Sequence, residues 1–204
     1  MDIVGLNAQF QNKTPEDIVE WVCRNTENPI LTTSFGAYSM AILHLVTRVV
    51  PDIPVIWCDT GYNTKETYRF AEYVIDHLQL NIKVYHPKRS RAHWEAVHGG
   101  VPQIDDPAHS TFARLVKLEP FERALSDHQP DAWFANLRKG QTTFRNTLDV
   151  ATKDKTGILK ISPFYSWSDN ELDQYMSENG LKDEPRYYDP TKVMEHRECG
   201  LHLP

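Results

Sequence analysis

The chain has 204 residues, 40% of them hydrophobic and 25% charged, a length and mix that allow one buried core and exclude a disordered or fibrous protein. A formal net charge of −6 disfavours a broad, nonspecific nucleic-acid surface, and no apolar run predicts a secretion signal or a membrane span, which points to the cytoplasm. Cys23, Cys58 and Cys199 stand far apart with no Cys-x-x-Cys pair, so neither a zinc ribbon, an iron–sulfur cluster nor a disulfide scaffold is expected.

Thr14-Pro15-Glu16-Asp17 predicts the first helix: Thr14 caps, Pro15 suits the first turn and Asp17 sits where a capping-box acid belongs. That helix ends near Asn28-Pro29, and Ile30–Thr33 reads as a strand. The small-residue turn Ser34-Phe35-Gly36-Ala37-Tyr38-Ser39 then leads into an apolar-periodic helix reaching about Val49. The unit repeats with a strand Val55–Cys58, a turn Asp59-Thr60-Gly61, a helix from Thr64 to about Leu80 and a strand Ile82–His86. Gly99 to Thr111 reads as a mobile surface loop and a candidate lid. A helix from Lys117 to about Ser126, a strand Ala132–Asn136, a basic loop Leu137–Asn146 and a strand Ile158–Ser162 follow. Ser168-Asp169-Asn170-Glu171 is a capping box for a helix that stops at Gly180, and the remaining tail is irregular.

Alternation of this kind predicts an α/β fold, a parallel twisted sheet with helices on both faces and ligands gathered at the strand C-termini. Residues 1–180 would form a nucleotide-binding α/β domain, and residues 181–204 a short catalytic tail.

Three turns fall at that sheet edge. Ser34 to Ser39 places hydroxyls and backbone N–H groups at a helix start, where an anion can be held, although such residues are commonly mere caps. It has neither the Gly-Lys pair of a Walker loop nor the three glycines of a dinucleotide fingerprint. Asp59-Thr60-Gly61-Tyr62 adds an acid and a tight turn, for which a self-capped strand-to-helix turn is the plain alternative. Arg138-Lys139-Gly140-Gln141-Thr142-Thr143-Phe144-Arg145 brings three cations directly after a strand, where Arg forks match phosphate or sulfonate oxygens.

Cys199, in Glu198-Cys199-Gly200-Leu201-His202, lies in a polar segment beside Arg197, with His196 and His202 nearby. Those neighbours favour its thiolate, the nucleophilic form. Attack on a highly charged substrate needs several cations around the ligand, which Lys117, Arg138, Lys139, Arg145 and Arg197 would supply. Cys23, on an amphipathic helix, and Cys58, in a buried strand, read as core residues.

Taken together these segments resemble the phosphoadenylyl-sulfate (PAPS) reductases, enzymes of the adenine-nucleotide α-hydrolase-like, Rossmann-like fold. The resemblance runs from about Leu31 to His202. It rests on Thr33-Ser34-Phe35-Gly36, Pro51-Asp52-Ile53-Pro54-Val55-Ile56, Asp59-Thr60-Gly61-Tyr62, Glu66-Thr67-Tyr68-Arg69-Phe70, Lys117-Leu118-Glu119-Pro120 and Glu198-Cys199-Gly200-Leu201-His202. It implies that Cys199 attacks the sulfur of PAPS, expels adenosine 3′,5′-bisphosphate and becomes an S-sulfocysteine, from which thioredoxin or glutaredoxin releases sulfite in assimilatory sulfate reduction. It further implies that Ser34, Phe35, Gly36 and Ser39 hold the anionic end of the nucleotide and that Asp59, Thr60 and Gly61 line the adenosine pocket. Lys117, Arg138, Lys139, Gln141, Arg145, Arg197 and His202 complete the substrate site. Neither a flavin nor a nicotinamide is implied, and a homodimer is the family's usual assembly.

The related adenylyl-sulfate (APS) reductases carry paired cysteines for a four-iron cluster, one pair just ahead of the Lys-x-Glu-Pro segment. Phe112 and Ala113 occupy those places here, which implies the cluster-free class and no metal. Two departures stand out. The family's basic loop reads Arg-Arg-Glu-Gln-Ser-Gly-Ser-Arg, against Lys139, Gly140, Thr142, Thr143 and Phe144 here, and the segment Leu181–Glu198 lacks a Gly-Tyr-x-Ser-x-Gly-Asp stretch. The alternatives are an ATP pyrophosphatase-type adenylating enzyme of the same fold, whose first loop would read Ser-Gly-Gly-x-Asp-Ser, and a non-catalytic nucleotide-binding homologue.

Overall fold

Leu31, Val55 and Phe134 are buried on one side of a sheet, while their neighbours Ile30, Ile56 and Trp133 are buried on the other. Strands that are apolar on both faces must be covered on both faces, the signature of a layered α/β fold. The computed structural model of the chain describes residues 2–184 and 186–192. In chain order it runs α1 (Ile3–Phe10), α2 (Pro15–Asn25), β1 (Pro29–Thr33), α3 (Ser39–Val49), β2 (Val55–Cys58), α4 (Lys65–Leu78) and β3 (Ile82–Tyr85). Then come α5 (Arg91–His98), α6 (Ala108–Ala113), α7 (Glu119–His128), β4 (Ala132–Phe134), β5 (Ala151–Lys153), β6 (Leu159–Ile161) and α8 (Asp169–Glu178).

The six strands lie in the order β3-β2-β1-β4-β6-β5. All neighbouring pairs are parallel except β5 with β6, so one antiparallel strand closes an otherwise parallel sheet. The larger core joins one face to side chains of α1, α2, α3, α4 and α8, including Phe10, Val22, Leu43, Val74 and Leu172. The other face packs Ile30, Ile56 and Trp133 against Phe121 and Ala124 of α7. No helix among the described residues is long and apolar enough to cross a membrane.

The capping boxes expected at Thr14 and Ser168 both form, with Asp17 and Glu171 reaching back to the cap backbone. Three helices, α1, α5 and α6, come in addition. Asp2 starts α1 by accepting from the N–H groups of Val4 and Gly5, and Ser90 starts α5 by accepting from that of His93 at 3.2 Å. The expected surface loop 99–111 is shorter than its sequence suggests. Asp106 caps Ala108, α6 begins there, and His109 and Phe112 are buried, Phe112 against Tyr62 and Trp94. Helical backbone then continues from α6 to α7 through a widened π-type turn, Arg114–Leu118, rather than starting afresh at Lys117. The edge strand β5 is likewise additional. Residues 181–184 and 186–192 form no helix or strand, as expected, yet Glu184, Asp189 and Thr191 are buried.

Candidate active site

The strand order reverses beside β1, with β2 and β3 on one side and β4 and β6 on the other. Loops leaving the C-terminal ends of β1 and β4 therefore diverge and leave a crevice, the general ligand position in open α/β sheets. A cavity of about 250 Å³ occupies it. Thr33, Ser34, Gly36 and Ser39 line it from the β1–α3 turn, Asn136 from the end of β4, and Ile42, Ile56, Phe121 and Trp133 supply apolar walls.

The β1–α3 turn is tightly wound. Thr33 Oγ1 accepts from the Phe35 N–H at 3.0 Å, and both Phe35 and Tyr38 hold left-handed backbone, at φ of 51° and 57°. Left-handed conformations cost non-glycine residues of order 1–3 kcal/mol, so the surrounding packing must hold them. Phe35 is held by full burial, edge-on to Trp57 with ring centroids 4.9 Å apart; it is a core residue behind the turn and does not line the cavity. Tyr38 is held by its N–H donating to Asp183 Oδ1 at 2.7 Å and by the Arg138 guanidinium lying 4.7 Å over its ring.

The strained turn aims the start of α3 at the cavity. Among the described residues no side chain caps that helix, and Ser39 Oγ, in its first turn, is buried without a hydrogen-bond partner. Asn136 Oδ1 across the cavity is likewise buried and unpartnered among the described residues. An unfilled polar atom inside a protein carries a desolvation penalty of about 1–3 kcal/mol, and a ligand group is one way to relieve it. An uncapped helix start also favours an anion.

Among the described residues the cavity's cations are Lys117, Arg145 and Lys192. The Lys117 ammonium pairs with Asp189 Oδ2, both side chains being buried. Asp189 Oδ1 accepts from the Thr191 N–H at 3.0 Å and from Thr191 Oγ1 at 2.7 Å. Burial acts to raise the Asp189 pKa, but the Lys117 charge and the hydrogen bonds from Lys117 and Thr191 outweigh it and hold the carboxyl below its usual range. Arg145 is buried and donates through Nη1 to Gln141 Oε1, which also accepts from the Arg138 N–H at 3.0 Å. The basic loop is thus internally braced.

The expected site residues divide. Ser34, Gly36, Ser39, Lys117, Gln141 and Arg145 meet in the cavity. Arg138 does not line it, because its guanidinium stacks on Tyr38 and pairs with Asp169, and Lys139 is exposed. Asp59 is committed to its own turn: Oδ1 accepts from the Gly61 N–H, Asn63 Nδ2 and the Tyr68 hydroxyl, each at 2.9 Å. Thr60 faces a second cavity of about 340 Å³ with Tyr62, Arg89, Arg91 and Trp94. Cys199, Arg197 and His202 lie outside the described residues.

Of the other two thiols, Cys23 packs against the core, and burial pushes its pKa up to about 11, so it supplies little thiolate. Cys58 was expected in the core. Placed last in β2, it is half-buried and lines the cavity. Tyr187, Asp189 and Lys192 are further lining residues without a sequence signal, because they arrive from an irregular segment whose place is set only by tertiary contacts.

Fold and cavity together define a layered α/β protein with a polar, cation-lined crevice at the switch point of its mostly parallel sheet. Comparison with known proteins narrows this class. A family model described as the phosphoadenosine phosphosulfate reductase domain matches residues 28–189, and the chain belongs to that family of oxidoreductases. A phosphoadenosine 5′-phosphosulfate reductase of Xylella fastidiosa (strain 9a5c) is 40% identical over 224 residues, spanning 98% of this chain and 94% of the relative. Among solved structures, the PAPS reductase of Candida auris in its phosphate complex superposes with a TM-score of 0.78 at 26% identity, covering 89% of this chain and 87% of that one. The NH3-dependent NAD synthetase of Campylobacter jejuni, at 12% identity, a TM-score of 0.56 and coverage of 89% and 75%, shares the fold alone.

Proposed function

We propose that the chain reduces PAPS to sulfite and adenosine 3′,5′-bisphosphate through an S-sulfocysteine on Cys199, with thioredoxin or glutaredoxin as reductant, in assimilatory sulfate reduction. The observation that carries this reading is the convergence of an uncapped helix start and the unpartnered Ser39 Oγ with Lys117 and Arg145 in one cavity. That set suits a polyanionic nucleotide, and membership of the family supports PAPS as the particular one. Ser34, Gly36 and Ser39 bind anionic oxygens, Lys117 and Arg145 offset their charge, and Ile42, Ile56 and Trp133 offer apolar surface to the adenosine. Residues 1–180 form most of the nucleotide cavity, and residues 181–204 add Tyr187, Asp189 and Lys192 to its wall and deliver the thiol.

In the first step the Cys199 thiolate attacks the sulfonate sulfur. A sulfur–sulfur bond forms, the bond from that sulfur to the bridging phosphate oxygen breaks, and adenosine 3′,5′-bisphosphate leaves with the electron pair. The cations lower the repulsion between thiolate and substrate and stabilise charge growing on the leaving phosphate. In the second step a thiolate of the dithiol reductant attacks Cys199 Sγ, sulfite departs as the leaving group, and the second reductant thiol closes its own disulfide and releases the Cys199 thiolate. The reductant is oxidised by two electrons and the sulfonate sulfur is reduced to sulfite. Both steps use only thiols and substrate.

Reduced protein incubated separately with PAPS, APS and ATP tests this by intact mass. A sulfonate adduct is expected with PAPS, absent in Cys199→Ser and lost on adding thioredoxin. No adduct with PAPS or APS, together with cleavage of ATP to AMP and pyrophosphate, would overturn the proposal.

A further inference from the structure

Lys117 reaches the cavity on a four-carbon stem with many rotamers, which is a poor way to place a charge accurately. Two local features restrict it. The widened turn Arg114–Leu118 separates neighbouring residues, so that Val116 joins Tyr62, Trp94 and Phe112 in a satellite core while Lys117 points into the cavity. Asp189 then takes the ammonium on Oδ2, while its other oxygen is tied down by the N–H and hydroxyl of Thr191. With both oxygens engaged the carboxylate cannot swing, and the ammonium is held at one point of the cavity wall.

Asp189 belongs to the segment that precedes the nucleophile. Cys199 follows it by ten residues, and a chain of that length spans at most about 36 Å. The anchor therefore limits where the thiol can go.

We propose that Asp189 is a positioning residue for the sulfonucleotide reaction, orienting the Lys117 ammonium toward the bound anion and tying the thiol-bearing segment to the nucleotide cavity. The proposal rests on the PAPS-reductase reading above. Asp189 itself touches no reacting atom. Its effect falls on the rate of sulfur transfer, where the placement of a cation matters, more than on ground-state binding, where overall charge suffices.

The test compares wild type, Asp189→Asn, Asp189→Glu, Lys117→Met and the double variant Lys117→Met/Asp189→Asn. Single-turnover sulfonation of Cys199 by PAPS is followed by intact mass, and binding of adenosine 3′,5′-bisphosphate by calorimetry. Asp189→Asn is expected to slow sulfonation roughly tenfold to a hundredfold, the range a small misplacement produces, while bisphosphate affinity holds or rises. Asp189→Glu, which restores the charge, recovers part of the rate, and Asp189→Asn costs nothing further once Lys117 is Met. If Asp189→Asn fails to fold because it takes the carboxylate away from a buried ammonium, Lys117→Met against the double variant decides the same point: equal rates support the proposal and a further drop overturns it. An unchanged sulfonation rate in Asp189→Asn, or weakened binding at an unchanged rate, also overturns it. Wild-type protein that takes no sulfonate from PAPS overturns the functional reading and this proposal with it, whereas a reactive wild type with an equally reactive Asp189→Asn overturns only the role of Asp189.

Discussion

Gly36 shows how closely a single position can be specified. A Cβ placed there would lie 3.1 Å from Cγ and Cδ1 of the Tyr187 ring, tighter than an ordinary contact, so the glycine is needed for close approach. In Gly36→Ala the Tyr187 ring must give by a few tenths of an ångström, and overpacking of this kind costs about 1–3 kcal/mol. Affinity for adenosine 3′,5′-bisphosphate should drop about tenfold and the urea midpoint should fall with it; calorimetry and denaturation on the same variant check both. Gly36, Ser34 and Ser39 are legible in the sequence as small residues between a strand and a helix start, and only the fold shows that they line a cavity as well as shape a turn. Arg138 lies off the cavity wall, and a cation after a strand cannot reveal that Asp169 and Tyr38 wait beside it. Asp189 and Tyr187 gave no signal at all, lying in a stretch without periodicity.

At the scale of elements, helices with strong local grammar were readable and short ones that bury one or two side chains were not. The capping boxes of α2 and α8 announce themselves, whereas α1 buries only Leu6 and Phe10, and α5 only Trp94. The three-residue β5 exists through its pairing with β6, which no local pattern encodes. The contact between α3 and α8 carries a pH signature. His44 Nδ1 lies 2.8 Å from the Tyr175 hydroxyl, and burial, helped by the nearby charges of Arg48 and His77 and opposed by Glu16, lowers the His44 pKa from 6.5. A lowered pKa means that the unfolded chain binds the proton more readily. The stability contributed by neutral His44 is therefore complete above about pH 6.5 and is lost as pH falls through its folded-state pKa. Urea midpoints at pH 7.5 and 5.5 should differ less in His44→Gln, which keeps a hydrogen-bonding group for Tyr175, than in wild type.

Across the whole molecule, the alternating strands and helices predicted the layered sheet, its parallel body and the crevice, because hydrophobic periodicity reports directly on which faces are covered. The junction near residue 180 is subtler. Beyond it Asp183 accepts from Tyr38, Lys182 lies 4.1 Å over the Tyr73 ring and Asp189 meets Lys117, so the following segment is packed onto the sheet domain. A chain ending at Gly180 should still fold, since the described residues beyond it contribute no strand and their removal lets water reach Lys117. It should bind adenosine 3′,5′-bisphosphate at least about tenfold more weakly. A single cooperative urea transition together with weakened calorimetric binding would fit a separable tail, and an unfolded product would place the domain boundary elsewhere.

The short helix α1 has a bearing on self-association. Asn7 gives its Nδ2 to the Ala151 carbonyl and accepts the Ala151 N–H on Oδ1, both at 2.8 Å. Its carboxamide thereby stands in for the peptide group of a seventh strand along the outer margin of β5. Unpaired strand margins are templates for unwanted pairing. A further strand finds the groups at Ala151 already taken, so α1 blunts this edge of the sheet at that residue.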